Sequence, residues 1–359
     1  MQKRWFTIIN GQNLTDSQTV TQQLNGVGKI YSLRVHYEDT NGATSNTVGN
    51  LHSMVSKLQI LDGSRVLHSL SMAEEMALNC YRRHKFPAHF LSQDAAAVIK
   101  EDAYIDFWLN GDDDAHYLDT DNYTNPTLSF THNFTISATA GFQTGKGALT
   151  VEALLGDSGV PPNQGFLMSK EFAVPTPASS GTPDLLLPTD LPYVALMVLA
   201  GVSGTAPSAT ITNFKLSIDN DTSIPYNRAV NSIINSLRDA HGPWTETMSP
   251  ILSGTAATFD MDLFDGVGAW MDDAGATAKG IITVVSNNVL TEASTTGETV
   301  ITRARAEGWL PFGAFYLPFG DGMDPNDFLN PTGLKKLDLL LTLGAANAYQ
   351  VTTHQLAPR

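Results

Sequence analysis

The stretch Leu58–His84, LQILDGSRVLHSLSMAEEMALNCYRRH, contains a strand, a turn, a second strand and a capped helix in succession. Asp62-Gly63 is a dipeptide favoured in two-residue hairpins, whose turn positions need positive φ. Ser71 and Glu74 have the spacing of a capping box, which marks the start of a helix. Apolar residues then recur at helical spacing: Ala73, Met76, Ala77 and Cys80. The stretch therefore predicts a β-hairpin followed by an amphipathic helix near residues 72–84.

The chain repeats this unit in its second half. Leu216–Ile224 aligns with Leu58–Val66, and apolar residues again follow at helical spacing: Val230, Ile233, Ile234 and Leu237. A second pair of segments repeats in the same order: Phe107-Trp108-Leu109, an acidic loop and Asn125-Pro126-Thr127 match Phe315-Tyr316-Leu317, a second acidic loop and Asn330-Pro331-Thr332. Chance similarity between turn-rich β segments is the alternative, but two matches in one order favour duplication. We therefore expect a second, equivalent helix near 228–240.

The composition favours an all-β protein. Of the 359 residues, 42% are hydrophobic, which is enough for real cores and argues against a disordered chain. The 29 glycines and 18 prolines indicate many short strands and turns. Only the two repeated segments have a clear helical pattern. With the duplication, the sequence predicts two copies of one β-sandwich or jelly-roll fold, each with one short helix.

A proline-rich segment, VPTPASSGTPDLLLPTD at 174–190, is the strongest candidate for a domain boundary, because it holds four of the 18 prolines. We expect an N-terminal arm at 1–27 and a first sandwich at 28–173. The linker at 174–190 would lead to a second sandwich at 191–359. Within it, an insertion at about 260–300 should project from one end as loops.

Charge is unevenly distributed along the chain. The net charge is −15, yet residues 1–100 contain ten Lys/Arg against seven Asp/Glu, a net of +3. An acidic chain repels nucleic acid and anionic lipid as a whole, so contact with either would involve the N-terminal part. The candidates for a position near an anionic surface are Lys3, Arg4, Arg82, Arg83 and Lys85. For the three at the end of the first helix, stabilisation of the helix dipole is the favoured alternative.

The single cysteine, Cys80, excludes a disulfide within the chain and fits a reducing cytoplasm. Its place on the apolar face of the first helix predicts a core residue rather than a nucleophile. The beginning, MQKRWFTIING, lacks the apolar run of a signal peptide. The longest apolar run, Tyr193–Val202, is shorter than the ~20 residues of a spanning helix, so we expect no membrane crossing.

Candidate chemistry is sparse. No spacing typical of a transition-metal site, a phosphate-binding glycine loop or a nucleophile elbow is present, so we expect neither an enzyme nor an organic cofactor. The acidic loop at 110–124 offers five carboxylates that could hold Ca²⁺: Asp112, Asp113, Asp114, Asp119 and Asp121. Their order does not follow that of an EF-hand. A solvated surface loop is the favoured alternative.

These features resemble the double jelly-roll major capsid proteins of tailless icosahedral viruses, the lineage of tectiviruses, corticoviruses and adenoviruses, and above all those of small lipid-containing bacteriophages. The resemblance rests on Leu58–Tyr81, on Tyr104–Thr127 and on the duplication. It implies two eight-stranded jelly rolls perpendicular to the capsid surface and a homotrimer with a pseudo-hexagonal outline. It also implies a virion protein made and assembled in the host cytoplasm. Its partners would be neighbouring capsomers, minor capsid and vertex proteins and an inner membrane, without specific nucleic acid.

Two functions from other classes stay open on the sequence alone. A two-domain carbohydrate-binding β-sandwich, such as a phage spike or a glycan-binding protein, would need exposed aromatic residues on a sheet face. A glycosidase would need two carboxylates about 5–10 Å apart in a cleft. In the capsid interpretation, Lys3 and Arg4 are expected at the inner base, because each basic group near an anionic membrane contributes ~1 kcal/mol. The insertion is then expected to face outward, where carboxylates favour solubility.

Overall fold

A computed structural model of the chain describes residues 1–47, 50–88, 90–177, 179–249, 251–252, 257–272, 281–294, 300–301, 303–320 and 324–359. Sixteen strands build two sandwiches. Those of the first are β1 Gln2–Asn13, β2 Ser17–Gln23, β3 Lys29–Thr40, β4 Val55–Asp62, β5 Arg65–Leu70, β6 Val98–Asp106, β7 Pro126–Asn133 and β8 Ala148–Ser158. Those of the second are β9 Phe166–Ala173, β10 Asp184–Leu186, β11 Tyr193–Leu199, β12 Ile211–Ile218, β13 Ser223–Ala229, β14 Ala314–Pro318, β15 Leu337–Leu343 and β16 Gln350–Ala357.

The strand orders of the two sandwiches are the same. The first packs β1-β8-β3-β6 against β2-β7-β4-β5, and the second packs β9-β16-β11-β14 against β10-β15-β12-β13. Adding eight to each strand number of the first sandwich gives the second, so the duplication inferred from the sequence is confirmed. This order, with neighbours in a sheet drawn from distant parts of the chain, is that of a jelly roll. The chain is a double jelly roll.

Three helices and three 3₁₀ turns complete the regular structure of the described residues. They are α1 Met72–Arg83, α2 Pro207–Thr210 and α3 Val230–Ala240, and the turns Leu51–Met54, Thr120–Asn122 and Pro325–Asp327. The predicted capping box forms, since the Ser71 hydroxyl accepts from the Glu74 amide and the Glu74 carboxylate accepts from the Ser71 amide. Helix α1 follows β5 and α3 follows β13, so both predicted helices occupy equivalent places.

The predicted hairpin turn is wrong by one residue. Asp62 is the last residue of β4 and pairs with Arg65, so the two turn residues are Gly63 and Ser64. Only Gly63 has positive φ, at 58°. A turn with glycine at its first central position is of type II′ and needs positive φ at that position alone.

The predicted N-terminal arm at 1–27 is wrong. These residues form β1, which pairs with β8, and β2, which pairs with β7. In β2 only one residue, Val20, is buried while the polar residues around it face solvent or the edge. An edge strand with a single core residue has the composition of a polar loop, which explains the error.

The predicted boundary at 174–190 is also wrong. Strand β9, assigned to the first sandwich, pairs with β16 and is the first strand of the second. Strand β10 lies inside the predicted linker and pairs with β15. The prolines at 174–190 surround this short edge strand, where they interrupt no central ladder. The chain crosses between the rolls at 159–165, where Gly165, at φ 127°, is in the left-handed half of φ space and approaches the Ala357 carbonyl.

The insertion lies between α3 and β14 and is longer than the predicted 260–300. Its described strands are Trp244–Ser249, Ile251–Leu252, Ala257–Asp260, Leu263–Phe264, Gly268–Asp272, Ile281–Ser286, Val289–Ser294, Val300–Ile301, Arg303–Gly308 and Leu310–Pro311. Within the predicted range, 273–280 and 295–299 lie outside the described residues. Trp244–Ser249 pairs with the short strand Leu91–Ser92, which anchors the insertion on the first roll.

The two ends of the molecule differ. One end, here called the insertion end, carries the insertion and the segments 41–47, 50–54, 134–147 and 200–210. The opposite end, here called the terminal end, carries Met1, Arg359, the turn at 63–64, the acidic loop and the crossover at 159–165; the short strand Leu118–Asp119 pairs there with the start of β3. The strand directions therefore place Lys3 and Arg4 at the end opposite to the insertion.

The capping box gives a first prediction. Replacing Ser71 with Ala removes the acceptor for the Glu74 amide and should lower the free energy of unfolding by about 1 kcal/mol, measured by thermal unfolding. The matched variant is Ala229→Ser, because Ala229 is the N-cap of α3 and offers no side-chain cap. That change should raise the stability. A Ser71→Ala protein that melts like the wild type would contradict the assignment.

Candidate functional site

The junction between the two rolls is the surface through which the duplicated halves pair. Strands β5 and β9 run parallel, with Ser69 opposite Lys170, and this pairing merges two four-stranded sheets into one of eight strands. An ion pair of 2.6 Å between Lys57 Nζ in β4 and Glu171 Oε1 in β9 crosses the same boundary. The rolls are therefore joined edge to edge by backbone and by charge.

Buried polar groups line this junction. The His68 Nε2 atom in β5 lies 2.7 Å from Glu75 Oε2 in α1. On the other side, His354 of β16 contacts the Ser169 hydroxyl at 2.9 Å and the Thr352 hydroxyl at 3.0 Å. Burial lowers the pKa of His354 to about 3, with smaller contributions from the nearby Arg82 and His68. The ring is therefore neutral at ordinary pH and serves as a hydrogen-bonding group.

Helix α1 reaches from the first roll onto the second through Tyr81. Its hydroxyl donates to the Ala314 carbonyl at 2.7 Å, and its ring stacks on Tyr316 with 5.3 Å between centroids and 10° between planes. Trp244 contacts the same ring edge-on at 6.3 Å. Burial raises the pKa of the Tyr81 hydroxyl well above its usual value, so it stays a donor. Tyr81 thereby attaches α1 to β14.

The C-terminal ends of the two helices meet at a histidine pair. His84 caps α1 in the left-handed conformation and His241 caps α3. Their rings stack with centroids 5.1 Å apart, and their Nδ1 atoms are separated by 3.1 Å. Burial, and then the nearby His84, lowers the pKa of His241. A cavity of about 370 Å³ lies beside the pair, between α1, α3 and β14.

A second buried cluster ties the insertion to the first roll. His52 Nδ1 lies 3.3 Å from Glu101 Oε1, and His52 Nε2 lies 3.3 Å from Asp262 Oδ1 in the insertion. The Tyr37 hydroxyl donates to the other Glu101 oxygen at 2.5 Å. Burial alone would lower the pKa of His52, but the two carboxylates outweigh it and raise the pKa to about 10. His52 is a buried cation between two acids.

The basic residues predicted near an anionic surface mostly have partners within the chain. Lys3 Nζ lies 2.8 Å from Asp114 Oδ1, and Arg4 Nε lies 2.7 Å from Asp157 Oδ2. Arg83 binds both Asp106 oxygens, at 2.7 and 2.5 Å. Arg82 donates to the carbonyls of residues 106, 108 and 109. Lys85 is exposed.

Trp108 brings two of these predicted residues together. The Lys3 ammonium lies 5.2 Å and the Arg83 guanidinium 5.6 Å from the Trp108 ring centroid. Both cations are therefore at the terminal end. Their carboxylate partners neutralise them there, so attraction to an outside anion is weaker than the sequence suggested. Whether this end faces a membrane stays a prediction.

The acidic loop is held by hydrogen bonds from its own backbone amides to a carboxylate. Its five aspartates are not arranged around a common point. Asp113 accepts from the amides of Leu109, Ala115 and His116 and from the His116 ring. Burial raises its pKa, but these hydrogen bonds outweigh burial and the pKa falls below its usual value. Of the other predicted Ca²⁺ ligands, Asp114 pairs with Lys3, Asp119 accepts from the Asp121 amide, and Asp112 and Asp121 are exposed.

In the described part of the chain, no three His, Cys, Asp or Glu side chains are grouped so as to hold a metal ion. Of the five aspartates, Asp113 and Asp119 accept backbone amides within the loop, and a Ca²⁺ site stays a prediction. None of the described helices has the length and apolar character needed to span a membrane. Cys80 is a free, buried thiol on α1, as predicted.

The buried histidines were missed by the sequence analysis. His52, Glu101 and Asp262 are widely separated along the chain, as are His68 and His354. No spacing rule joins such residues, because strand pairing and not local periodicity brings them together. One signal was available: His84 and His241 occupy matching positions in the two repeats.

The fold is similar over its whole length to that of solved capsid proteins. The major capsid protein P2 from bacteriophage PM2 aligns with a TM-score of 0.56 and 11% identity, covering 100% of this chain and 98% of that one. The STIV MCP aligns with a TM-score of 0.60 and 11% identity, covering 99% and 96%. VP54 of PBCV-1 aligns with a TM-score of 0.54 and 10% identity, covering 99% and 93%. No family model and no curated protein matches the sequence.

The His52 cluster gives a second prediction. His52→Gln leaves two buried carboxylates without their cation and should lower the free energy of unfolding at pH 6 by about 3–5 kcal/mol. Because the folded pKa is about 10 and the usual value is 6.5, this stabilisation is complete below pH 6.5 and disappears as the pH rises through 10. The difference between wild type and variant, followed by denaturant unfolding from pH 6 to 10.5, should shrink accordingly.

The control is His36→Gln. His36 Nδ1 also contacts a carboxylate, Asp102, at 2.6 Å, but the ring is partly exposed and Arg34 shares that carboxylate. We expect a loss below about 1 kcal/mol for this variant. A His52→Gln protein no less stable than His36→Gln at pH 6 would show that His52 is not the cation of this cluster.

Proposed function

We propose that this chain is the major capsid protein of a tailless icosahedral virus with an inner membrane, and that it acts structurally, without catalysis. The tandem jelly rolls over the whole chain support this, because the solved proteins of similar fold are named as major capsid proteins. One observation carries the proposal. The two strand edges equivalent to those that join the rolls inside the chain lie open on its outside.

The counterpart follows from the duplication. Inside the chain, β5 of the first roll meets β9 of the second, and four of the six residues of β5 are buried. The equivalent of β5 in the second roll is β13, and the equivalent of β9 in the first roll is β1. No residue of β13 is buried, and only one of the twelve residues of β1 is buried. These two edges hold the same positions in their rolls as β5 and β9, but they are open.

Repeating the internal junction between chains would cover both edges. Strand β13 of one copy would run parallel to β1 of the next, and its sheet would continue into that of the neighbour. Three chains joined in this way give a closed ring of six rolls with a pseudo-hexagonal outline. Such heterologous contacts form rings when the rotation closes. The ring would then tile a capsid facet beside identical rings.

The open edges carry apolar side chains that such a contact would bury. On β1, Trp5 is 47% and Phe6 44% exposed, and on β13 Ile224 is 42% exposed. An open edge strand with exposed apolar residues is a template for pairing with another chain. We expect an interface of the obligate class, above roughly 2,000 Å².

The carbohydrate-binding alternative receives no support. It would need aromatic residues on the face of a sheet, whereas Trp5 and Phe6 lie on an edge strand. Among the described residues, the large exposed apolar side chains are spread over both rolls and both ends: Met1, Trp5, Phe6, Phe90, Val98, Ile136, Val174, Leu186 and Ile224. The edge positions fit assembly better than sugar stacking.

The proposal includes an orientation. The terminal end would face the interior of the virion, towards the inner membrane, and the insertion end would face outward with minor capsid and vertex proteins around each ring. Long loops on a rigid sandwich are the usual place for outward-facing functions. Synthesis and assembly would take place in the host cytoplasm, which fits a lone buried thiol.

The assembly prediction uses the open edges. Trp5→Glu and Ile224→Lys each place a charge where the contact would bury an apolar group, and should shift the protein from trimer to monomer at micromolar concentration in analytical ultracentrifugation. Leu186→Lys is the matched control, because Leu186 is 60% exposed on β10, an edge that takes no part in the proposed contact. It should remain trimeric. A wild type that sediments as a monomer would exclude the ring.

A photo-crosslinking amino acid at position 224 identifies the edges directly. We expect crosslinked peptides that join residues 223–229 of one copy to residues 2–13 of another, detected by mass spectrometry on trimers. Crosslinks between two copies of 223–229 would instead indicate a twofold contact and contradict the repeated junction.

The orientation is tested with cysteines in assembled particles. Cys80 is buried, so Ser64→Cys at the terminal end and Thr139→Cys at the insertion end would be the reactive thiols. A bulky maleimide should label position 139 on intact particles and position 64 only after disruption. The reverse pattern would overturn the orientation and leave the ring untouched.

A further inference from the structure

A polar cavity of about 540 Å³ lies at the terminal end of the first roll. Segments far apart in sequence contribute to it: the start of β3, the start of β5, the second half of the acidic loop, the crossover and Arg359. Its lining is dominated by charged and hydrogen-bonding side chains: Lys29, Arg65, Tyr117, Asp119, Asn122, Tyr123, Asn163 and Arg359. The fold therefore gathers three cations around one polar space.

These cations are exceptional in a strongly acidic chain. Acidic residues outnumber Lys and Arg by 36 to 21, and most other cations of the first roll have a carboxylate partner, as Lys3, Arg34 and Lys57 do. Within the described residues, Lys29, Arg65 and Arg359 form no ion pair, although Asp119 lines the same cavity. Grouped cations without partners attract an anion from outside.

Tyrosine rings hold two of the cations in place. Lys29 Nζ lies 5.9 Å from the Tyr117 ring centroid, and the Arg65 guanidinium lies 5.9 Å from that of Tyr123. Tyr117 is itself fixed, because its hydroxyl donates to the Pro161 carbonyl at 3.0 Å and its ring is buried. The Tyr117 part of the wall is therefore preformed beside Lys29, and Tyr123 lies beside the Arg65 guanidinium.

We propose that this cavity binds a phosphate group. A guanidinium presents paired N–H donors that match two oxygens of a phosphate, and an ammonium adds a point charge. The side chains of Lys29 and Arg65 outnumber that of Asp119 and leave an excess of positive charge for an anion. The phosphate belongs either to a free ion or to a lipid headgroup, since the cavity opens at the end of the molecule. This inference depends on the cavity alone and stands whether or not the chain forms capsids.

Calorimetry on the intact protein tests the site. Inorganic phosphate is titrated at low ionic strength in a phosphate-free buffer into wild type and into Lys29→Gln/Arg65→Gln. We expect saturable binding that weakens with added salt, and at least a tenfold loss of affinity in the double variant. Thermal unfolding checks that the variant is folded, which is expected because neither residue is in an ion pair. The matched control, Lys146→Gln, removes an exposed lysine at the insertion end and should bind like wild type.

A variant that should bind phosphate more tightly gives a second test. Asp119→Asn removes the one acidic side chain of the lining, while its side-chain oxygen still accepts from the Asp121 amide. We expect tighter phosphate binding by Asp119→Asn. Equal affinity in wild type and in Lys29→Gln/Arg65→Gln would overturn the proposal, as would the absence of any binding of phosphate and of vesicles.

Vesicles distinguish the two sources of phosphate. Sedimentation with phosphatidylcholine vesicles, with and without phosphatidic acid, is compared between wild type and the double variant. Binding to the phosphatidic acid vesicles that is lost in the double variant assigns the cavity to a headgroup. Binding of inorganic phosphate without vesicle binding assigns it to a free ion.

Discussion

A β-sandwich must cover the edges of its sheets, because unpaired backbone groups at an edge pair with other chains. In this protein each roll covers one sheet edge of the other. Strand β5 of the first roll pairs with β9 of the second, and an eight-stranded sheet results. The same constraint leaves β13 and β1 open. The internal junction and the proposed assembly are thus two uses of one edge-to-edge contact, and duplication of the gene segment would supply both.

The helices make this contact specific. Helix α1 packs on its own β6 and extends to the second roll, where Tyr81 binds the backbone of β14. The stacked His84 and His241 rings then bring together the ends of both helices. Such aromatic and hydrogen-bonding contacts fix geometry more strictly than apolar burial alone. A fixed angle between rolls is what a ring of six would need.

Charged residues have different roles at the two ends of the molecule. Near the insertion end, His52 is buried between Glu101 and Asp262 and joins the insertion to the first roll. At the terminal end, carboxylates neutralise Lys3 and Arg83, while Lys29 and Arg65 have no acidic partner among the described residues. The net charge of a segment therefore says little about its surface, because pairing decides which cations can still attract an outside anion.

The sequence by itself determined the duplication, the capping box of α1, the buried Cys80 and the all-β class, because each is written in local spacing or composition. It misplaced the domain boundary and overlooked β1 and β2, because edge strands bury few residues and look like polar loops. The His52 cluster, the contact between His84 and His241, and the polar cavity at the terminal end were decided only by the tertiary structure. Strand pairing across distant segments brings those residues together, and no local pattern records which strands will be neighbours.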